Sequence, residues 1–140
     1  MKVIGFNFTK LSIDKPDKTQ QTEKVDIETK MDIVSLKEVK DHPLKTSDNA
    51  ISVDFGYIVD YKPDFAKIEI KGRILLMLDP KLAKEVIKSW EKKEVPEEFR
   101  IFLFNIVLRK STLKALQLEE ELNLPLHIPM PSFRKSEDKK

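Results

Sequence analysis

Four segments of the chain alternate apolar and polar side chains, which is the pattern of a β-strand with one buried face. In the first segment, Val3–Ile13, the apolar phase slips near Thr9–Lys10, and this slip predicts a β-bulge. The second strand is predicted over Glu23–Val39, the third over Ala50–Tyr61 and the fourth over Ala66–Leu78. One-faced alternation of this kind is typical of an antiparallel sheet whose second face meets solvent.

Two further details of the strand pattern predict local irregularities. After Ile33 the apolar phase shifts to Val34 and Leu36, which predicts a second bulge. Gly72 interrupts the fourth strand, where a glycine indicates a kink or a close backbone approach. The polar stretches Asp14–Thr22 and Lys40–Asn49 are predicted to be loops.

Beyond the fourth strand the apolar period changes to that of an α-helix. Asp79 followed by Pro80 is a favourable helix start, and the helical spacing continues to about Lys93. A second helix is predicted to start after Val95 and to run to about Asn123, a length of roughly 42 Å at 1.5 Å per residue. The segment that follows contains three prolines and is predicted to be extended.

Together these elements predict an α+β fold: a four-stranded antiparallel sheet packed on one face by a short and a long helix. Residues 1–131 are expected to form a single domain, and residues 132–140 a charged tail.

The long helix carries apolar residues on two sides, so it needs cover on two sides. The sheet covers one stripe, and we expect the other to face either a partner subunit or the short helix and the proline segment. The stripe expected on the sheet comprises Ile101, Phe104, Leu108, Ser111, Ala115, Leu118 and Leu122. The candidate oligomer interface comprises Phe99, Phe102, Leu103, Ile106 and Leu113.

Composition narrows the chemistry that the chain can perform. Among its 140 residues are 26 Lys and Arg, 24 Asp and Glu, two His and no Cys, for a net charge of +2. No disulfide, cysteine nucleophile or cysteine zinc site is possible, and we expect no metal site and no cofactor. No phosphate-binding loop or other nucleotide motif is present, and no basic stripe with aromatic residues indicates nucleic-acid binding.

The distribution of apolar residues predicts where the protein resides. There is no apolar run of transmembrane length, and the opening residues lack the apolar region of a signal peptide. We therefore expect a cytoplasmic protein without membrane insertion. The high share of charged residues, 36%, and the scarcity of Gln and Asn are typical of proteins from heat-adapted organisms.

Individual polar residues favour structural over catalytic roles. His127 lies between two apolar residues of the proline segment and is interpreted as a partly exposed spacer, while His42 lies in a polar loop. Asp26, Asp32 and Asp54 are the carboxylates on which an enzyme would depend, but on an exposed strand face they favour cross-strand ion pairs. No catalytic residue is assigned, and we expect the protein not to be an enzyme.

The order of the elements resembles the export chaperone SecB and its SecB-like relatives. The resemblance covers about residues 3 to 131. The first strand, Ile4–Ile13, looks like the family's opening strand, and Lys24–Thr29 is similar to its alternating apolar and acidic second strand. Ile101–Leu122 stands where the family has its long helix, and Leu124–Pro129 looks like the proline segment that ends that helix.

This resemblance implies a SecB-like fold, an oligomer (a dimer or a tetramer) and the binding of unfolded polypeptide clients or preproteins without ATP. A subunit of an interaction complex, such as a SecB-like partner of a toxin–antitoxin pair without an export role, is the alternative, and a carboxylate enzyme is the third hypothesis. A client needs exposed apolar and adaptable side chains. The candidates are Phe6, Phe8, Tyr57, Tyr61, Ile128, Met130 and Phe133.

Overall fold

The computed structural model describes residues 1–16, 25–40 and 48–135. It confirms the α+β prediction, with four strands followed by a short and a long helix. Most of the two predicted loops, the start of the predicted second strand and His42 lie outside the described residues. The elements are β1 Lys2–Asp14, β2 Asp26–Val39, β3 Asn49–Lys62, β4 Ala66–Leu78, α1 Pro80–Trp90 and α2 Glu97–Glu121.

The four strands form one antiparallel sheet in the order β1-β4-β3-β2. β3 and β4 therefore lie in the centre, and β1 and β2 are the two edges. Both predicted bulges are confirmed by shifts in register, between Phe8 and Lys10 in β1 and between Ile33 and Ser35 in β2. A further shift lies between Val3 and Gly5. Bulges on edge strands twist and interrupt the edge, which limits uncontrolled strand pairing.

One face of the sheet is apolar and the other is charged, as the alternation predicts. On the charged face, Asp54 and Arg73 are direct cross-strand partners and form an ion pair of 2.7 Å. The hydrogen bond from Arg73 holds the pKa of Asp54 below its usual value. Lys10 and Glu69 form a second ion pair of 3.1 Å across β1 and β4. Asp54 thus has the structural role that an exposed strand face favours.

The close approach predicted at Gly72 is confirmed, and Phe55 is its cause. Phe55 lies directly opposite Gly72 in the β3–β4 ladder and is 1% exposed. A Cβ atom at position 72 would lie 2.5 Å from Cζ of Phe55 and 2.8 Å from the carbonyl oxygen of Asn7. Gly72 therefore lets an aromatic ring lie directly on the backbone of β4.

The start of α1 also agrees with the prediction. The backbone N–H of Leu82 donates to Oδ1 of Asp79 at 2.8 Å, so Asp79 is the N-cap, and Pro80 follows in the first turn. α1 ends at Trp90, and Lys93 then adopts a left-handed conformation with φ of 59°. This conformation ends helices and turns the chain towards α2.

The predicted division of α2 into a sheet-facing stripe and an interface stripe is only partly right. The buried residues follow each other at every fourth position, and such a row turns about 40° around the helix at each step. The sheet therefore contacts α2 on different sides along its length. Phe99 and Leu103, predicted to face a partner subunit, are fully buried within the chain, whereas Ile101 and Leu108 of the predicted sheet stripe are exposed. The buried row comprises Phe99, Leu103, Val107, Ser111, Ala115 and Glu119.

Candidate functional site

A groove of about 860 Å³ lies where the free edge of β2 meets the junction between α1 and α2. One wall is a strand edge and the other is formed by the end of α1, the connection and the first turns of α2. The lining mixes large apolar side chains with charged ones from both helices. The residues are Met31, Asp32, Ile33, Val34, Trp90, Lys93, Glu94, Val95, Glu97, Arg100 and Phe104.

The turn after α1 shapes the helical wall of this groove. The ammonium group of Lys93 lies 4.8 Å from the centre of the Trp90 ring, within the range of a cation–π contact. The N–H of Lys93 donates to the carbonyl oxygen of Trp90 at 2.8 Å, which closes the end of the helix. The left-handed residue, the backbone bond and the cation–π contact together keep the indole at the mouth of the groove.

The bulge in β2 shapes the opposite wall. Ile33 pairs with Phe55, and the next paired residue is Ser35, so Val34 is the extra residue of the bulge. Val34 is 51% exposed and is one of the residues that line the groove, and its side chain lies on the same side of the sheet as that of Asp32. Because β2 is an edge strand, its outer backbone N–H and C=O groups have no partner strand in the described sheet. An unpaired edge beside apolar pockets is the arrangement that binds an extended peptide as an added strand.

Phe6 and Phe8, two of the candidate client-binding residues, lie on the opposite edge strand, β1. Their rings are half-buried and meet edge to face at 5.1 Å. Lys110 and Lys114 of α2 lie over the two rings, at 5.4 and 5.8 Å from the ring centres. These phenylalanines lie under the long helix rather than in the groove, and their role in client binding stays a prediction.

Tyr57 and Tyr61 are not accessible to a client, which corrects their prediction as client-binding residues. Both lie on the apolar face of β3 and are at most 1% exposed. The segment after α2 covers them, because the hydroxyl of Tyr61 donates to the carbonyl oxygen of Pro125 at 2.6 Å. Burial is the main reason why the pKa of each tyrosine is raised.

The candidates in the proline segment are on the surface. The side chain of Ile128 is 37% exposed, that of Met130 is 54% exposed, and that of Phe133 is fully exposed. They are free to contact another chain, and their role stays a prediction.

His127 differs most from its sequence-based interpretation as a partly exposed spacer. Its side chain is 2% exposed, and its Nδ1 lies 2.7 Å from Oε2 of the fully buried Glu119. On the other side of the ring, Nε2 lies 2.9 Å from the hydroxyl of Tyr57. The sequence does contain a signal for this cluster, because Glu119 falls at the fourth position after Ala115 on the buried row of α2.

Sequence reasoning also missed most of the groove. Trp90, Val34 and Phe104 are separated in sequence and line one groove only because α1 and α2 pack beside the middle of β2. Within the described residues, no group of three or more His, Cys, Asp or Glu side chains could hold a metal ion. In the same part of the chain, no helix has both the length and the apolarity needed to cross a membrane.

Comparison with known proteins identifies the fold. A SecB-like chaperone of Mycobacterium tuberculosis, Rv1957, solved in complex with a ChAD peptide from the antitoxin HigA1, superimposes with a TM-score of 0.51 and 9% sequence identity. The match covers 94% of this chain and 90% of that chain. No protein-family profile and no curated protein sequence matches the chain. At this identity the likeness shows the fold alone, which is a SecB-like fold.

Proposed function

We propose that the protein is a chaperone of the holdase type, which binds extended segments of unfolded polypeptides without ATP. The observation that carries this proposal is the groove, in which apolar residues lie beside the edge of β2, whose outer side pairs with no strand among residues 1–16, 25–40 and 48–135. This arrangement offers an unfolded chain the two things it exposes: apolar side chains and unsatisfied backbone groups.

The lining favours binding with low sequence specificity. Trp90 and Phe104 offer large apolar surfaces, and Met31 adapts its shape to different side chains. Hydrogen bonds to the backbone of β2 would be the same for any client sequence. The charged residues around the groove carry both signs, with Asp32, Glu94 and Glu97 against Lys93 and Arg100, so the groove has no strong preference for one client charge.

A subunit of a toxin–antitoxin or similar complex is the second candidate. Its support is that the Mycobacterium tuberculosis protein of the same fold was solved with a peptide from an antitoxin. Both candidates use the same kind of groove, and they differ in the range of clients. A holdase suppresses the aggregation of unrelated denatured proteins, whereas a dedicated partner binds one peptide and leaves such aggregation unchanged.

The single tryptophan provides a direct test, because Trp90 lines the groove. Unfolded peptides without tryptophan should change the emission of Trp90 as they bind. Val34→Asp places a second charge beside Asp32 at the strand wall of the groove and should lower the affinity at least about tenfold, a cost of about 1.4 kcal/mol. Val3→Asp is the matched control, since Val3 is also an exposed valine on an edge strand but lies on β1.

The affinities of Val34→Asp and Val3→Asp, compared with that of the wild type, decide where the client binds. Equal affinities for wild type, Val34→Asp and Val3→Asp would contradict binding in this groove. A loss in Val34→Asp alone, together with suppression of aggregation of a denatured client by the wild type, would support the holdase. If only Val3→Asp lost the suppression of aggregation, the client would bind at the edge of β1 instead.

We also propose that the protein forms a homo-oligomer through the outer surface of α2. The support is that α2 keeps three large apolar residues exposed, with Ile101 52%, Leu108 45% and Leu113 62% exposed. Isolated exposed apolar residues are common, but several on one helix mark a contact surface. Phe102 and Ile106 are half-buried at the margin of this surface.

A further inference from the structure

A buried polar cluster ties the segment after α2 to the rest of the molecule. Glu119 is fully buried on α2, and two groups of His127 reach it. The backbone N–H of His127 donates to Oε1 at 3.1 Å, and Nδ1 lies 2.7 Å from Oε2. By hydrogen-bond geometry neither Oε2 nor Nδ1 has a partner, so the 2.7 Å contact between them is a close ion-pair approach and not an aligned hydrogen bond.

The remaining contacts of the cluster are to neutral groups. From β3, the hydroxyl of Tyr57 lies 2.9 Å from Nε2 of His127 and 3.2 Å from Oγ1 of Thr112 on α2. Tyr61 of the same strand faces Glu119, and burial together with Glu119 raises its pKa, so it stays a neutral phenol. On the β1 side, the ammonium group of Lys15 donates to the carbonyl oxygen of Leu122 instead.

The number of protons on Glu119 and His127 decides the net charge of the buried pair. With one proton shared between Glu119 and His127, the pair is neutral overall, either as two ions or as two neutral groups. A second proton leaves a buried cation, and loss of the only proton leaves a buried carboxylate. An uncompensated buried charge is strongly unfavourable.

Apolar burial holds this segment only in part. Leu124 is buried at 5% exposure and Leu126 is half-buried, but Ile128 and Met130 are exposed. The polar contacts at Pro125 and His127 are therefore a large share of what keeps the segment on the sheet.

We propose that Glu119 and His127 form a one-proton latch, which holds the segment Leu124–Met130 over Tyr57 and Tyr61 while the pair carries a single shared proton. Gain of a second proton or loss of the shared one releases the segment and uncovers the apolar end of the sheet. This latch is independent of whether the groove at β2 binds a client.

The latch makes a distinctive prediction for two single variants. In Glu119→Gln, the buried site accepts His127 as a neutral imidazole but not as a cation. The segment should therefore be docked at high pH and released at low pH. In His127→Asn, only the protonated Glu119 is tolerated, so docking should show the opposite dependence. On the pH side where the segment is released, the ratio of docked to released protein should change about tenfold per pH unit, because one proton is gained or lost. The double variant should show no such dependence.

The absence of cysteine allows a specific probe of docking. A nitroxide label on Ser132→Cys would report the mobility of the segment, and the mobility would be recorded from about pH 5 to pH 9. Leu124→Ala is the control, because it reduces the apolar burial of the segment without altering the number of protons. It should weaken docking in the Ser132→Cys background while keeping the shape of the wild-type profile.

Two results would overturn the latch. One is the same direction of pH dependence in Glu119→Gln and His127→Asn. The other is a label whose mobility does not change with pH in either variant while circular dichroism shows both to be folded. If a single variant fails to fold, the wild type and the double variant still decide, because the latch requires a pH dependence in the first that is absent in the second.

Discussion

At the scale of single residues, Gly72 shows how one missing side chain determines the packing of the sheet. The ring of Phe55 occupies the space that a Cβ at position 72 would need. The backbone of β1, at the carbonyl oxygen of Asn7, lies close to the same point. Phe55 is buried and cannot move aside without disturbing its neighbours, among them Phe6, whose ring centre is 5.6 Å away.

We therefore predict that Gly72→Ala destabilises the protein by about 1–3 kcal/mol, the usual cost of overpacking a core. Urea denaturation would measure the free energy of unfolding. Gly5→Ala is the control on the neighbouring strand, because its new Cβ would lie 3.5 Å from Cβ of Leu75, an ordinary contact. Equal stability of Gly72→Ala and wild type would show that the Phe55 ring has room to shift.

His127 shows where residue-level reasoning fails. A histidine between two apolar residues of an extended segment gives no sign of what lies beneath it. Its burial depends on Glu119, eight positions earlier, and on Tyr57, seventy positions earlier. Only the path of the chain after α2 brings the three side chains together.

At the scale of elements, α2 has too much apolar surface for its own chain to cover. Its inner row of buried residues lies against the sheet, and an outer group remains exposed. The two helix faces could not be assigned from the sequence, because apolar residues occur on both. The direction in which α2 crosses the sheet decides which of them are covered.

We predict that Phe102→Asp or Ile106→Asp gives a monomeric or insoluble protein, because a charge at the margin of the outer surface opposes contact between subunits. Sedimentation equilibrium would give the solution mass. Asn7→Asp is the matched control, since it places the same charge at an exposed position on the charged face of β1. A wild-type protein that is monomeric at micromolar concentration would contradict the oligomer.

At the scale of the whole molecule, the exposed end of the chain separates stability from client binding. We predict that Met130→Ser together with Phe133→Ser weakens the holding of a denatured client and leaves Tm nearly unchanged, because both side chains are exposed. Aggregation suppression and thermal unfolding would be measured on the same samples. Leu124→Ser is the contrasting variant and should lower Tm, since Leu124 is buried.

If the double variant melts far earlier than the wild type, Met130 and Phe133 are needed for the fold and the prediction is wrong. If neither Tm nor client holding changes, the client is held elsewhere, in the groove at β2 or at the β1 edge.

The sequence by itself determined the elements and the layer architecture. Alternation at a period of two specifies which strand face is buried, and slips in that alternation specify bulges, as at Ile33. Asp79 and Pro80 specify a helix start through local hydrogen bonding and a fixed φ angle, which need no distant partner. These features depend on neighbours in the chain, so they can be inferred from the chain alone.

The tertiary structure decided the sites. The groove needs Val34 and Trp90 on facing walls, and the buried cluster needs Glu119, His127 and Tyr57 within hydrogen-bonding distance. Contacts between residues so far apart depend on strand order and on the angle at which a helix crosses the sheet, and no local pattern encodes either quantity. For the same reason the alternation places Tyr57 and Tyr61 on the apolar face of β3 but does not show that the segment after α2 covers them.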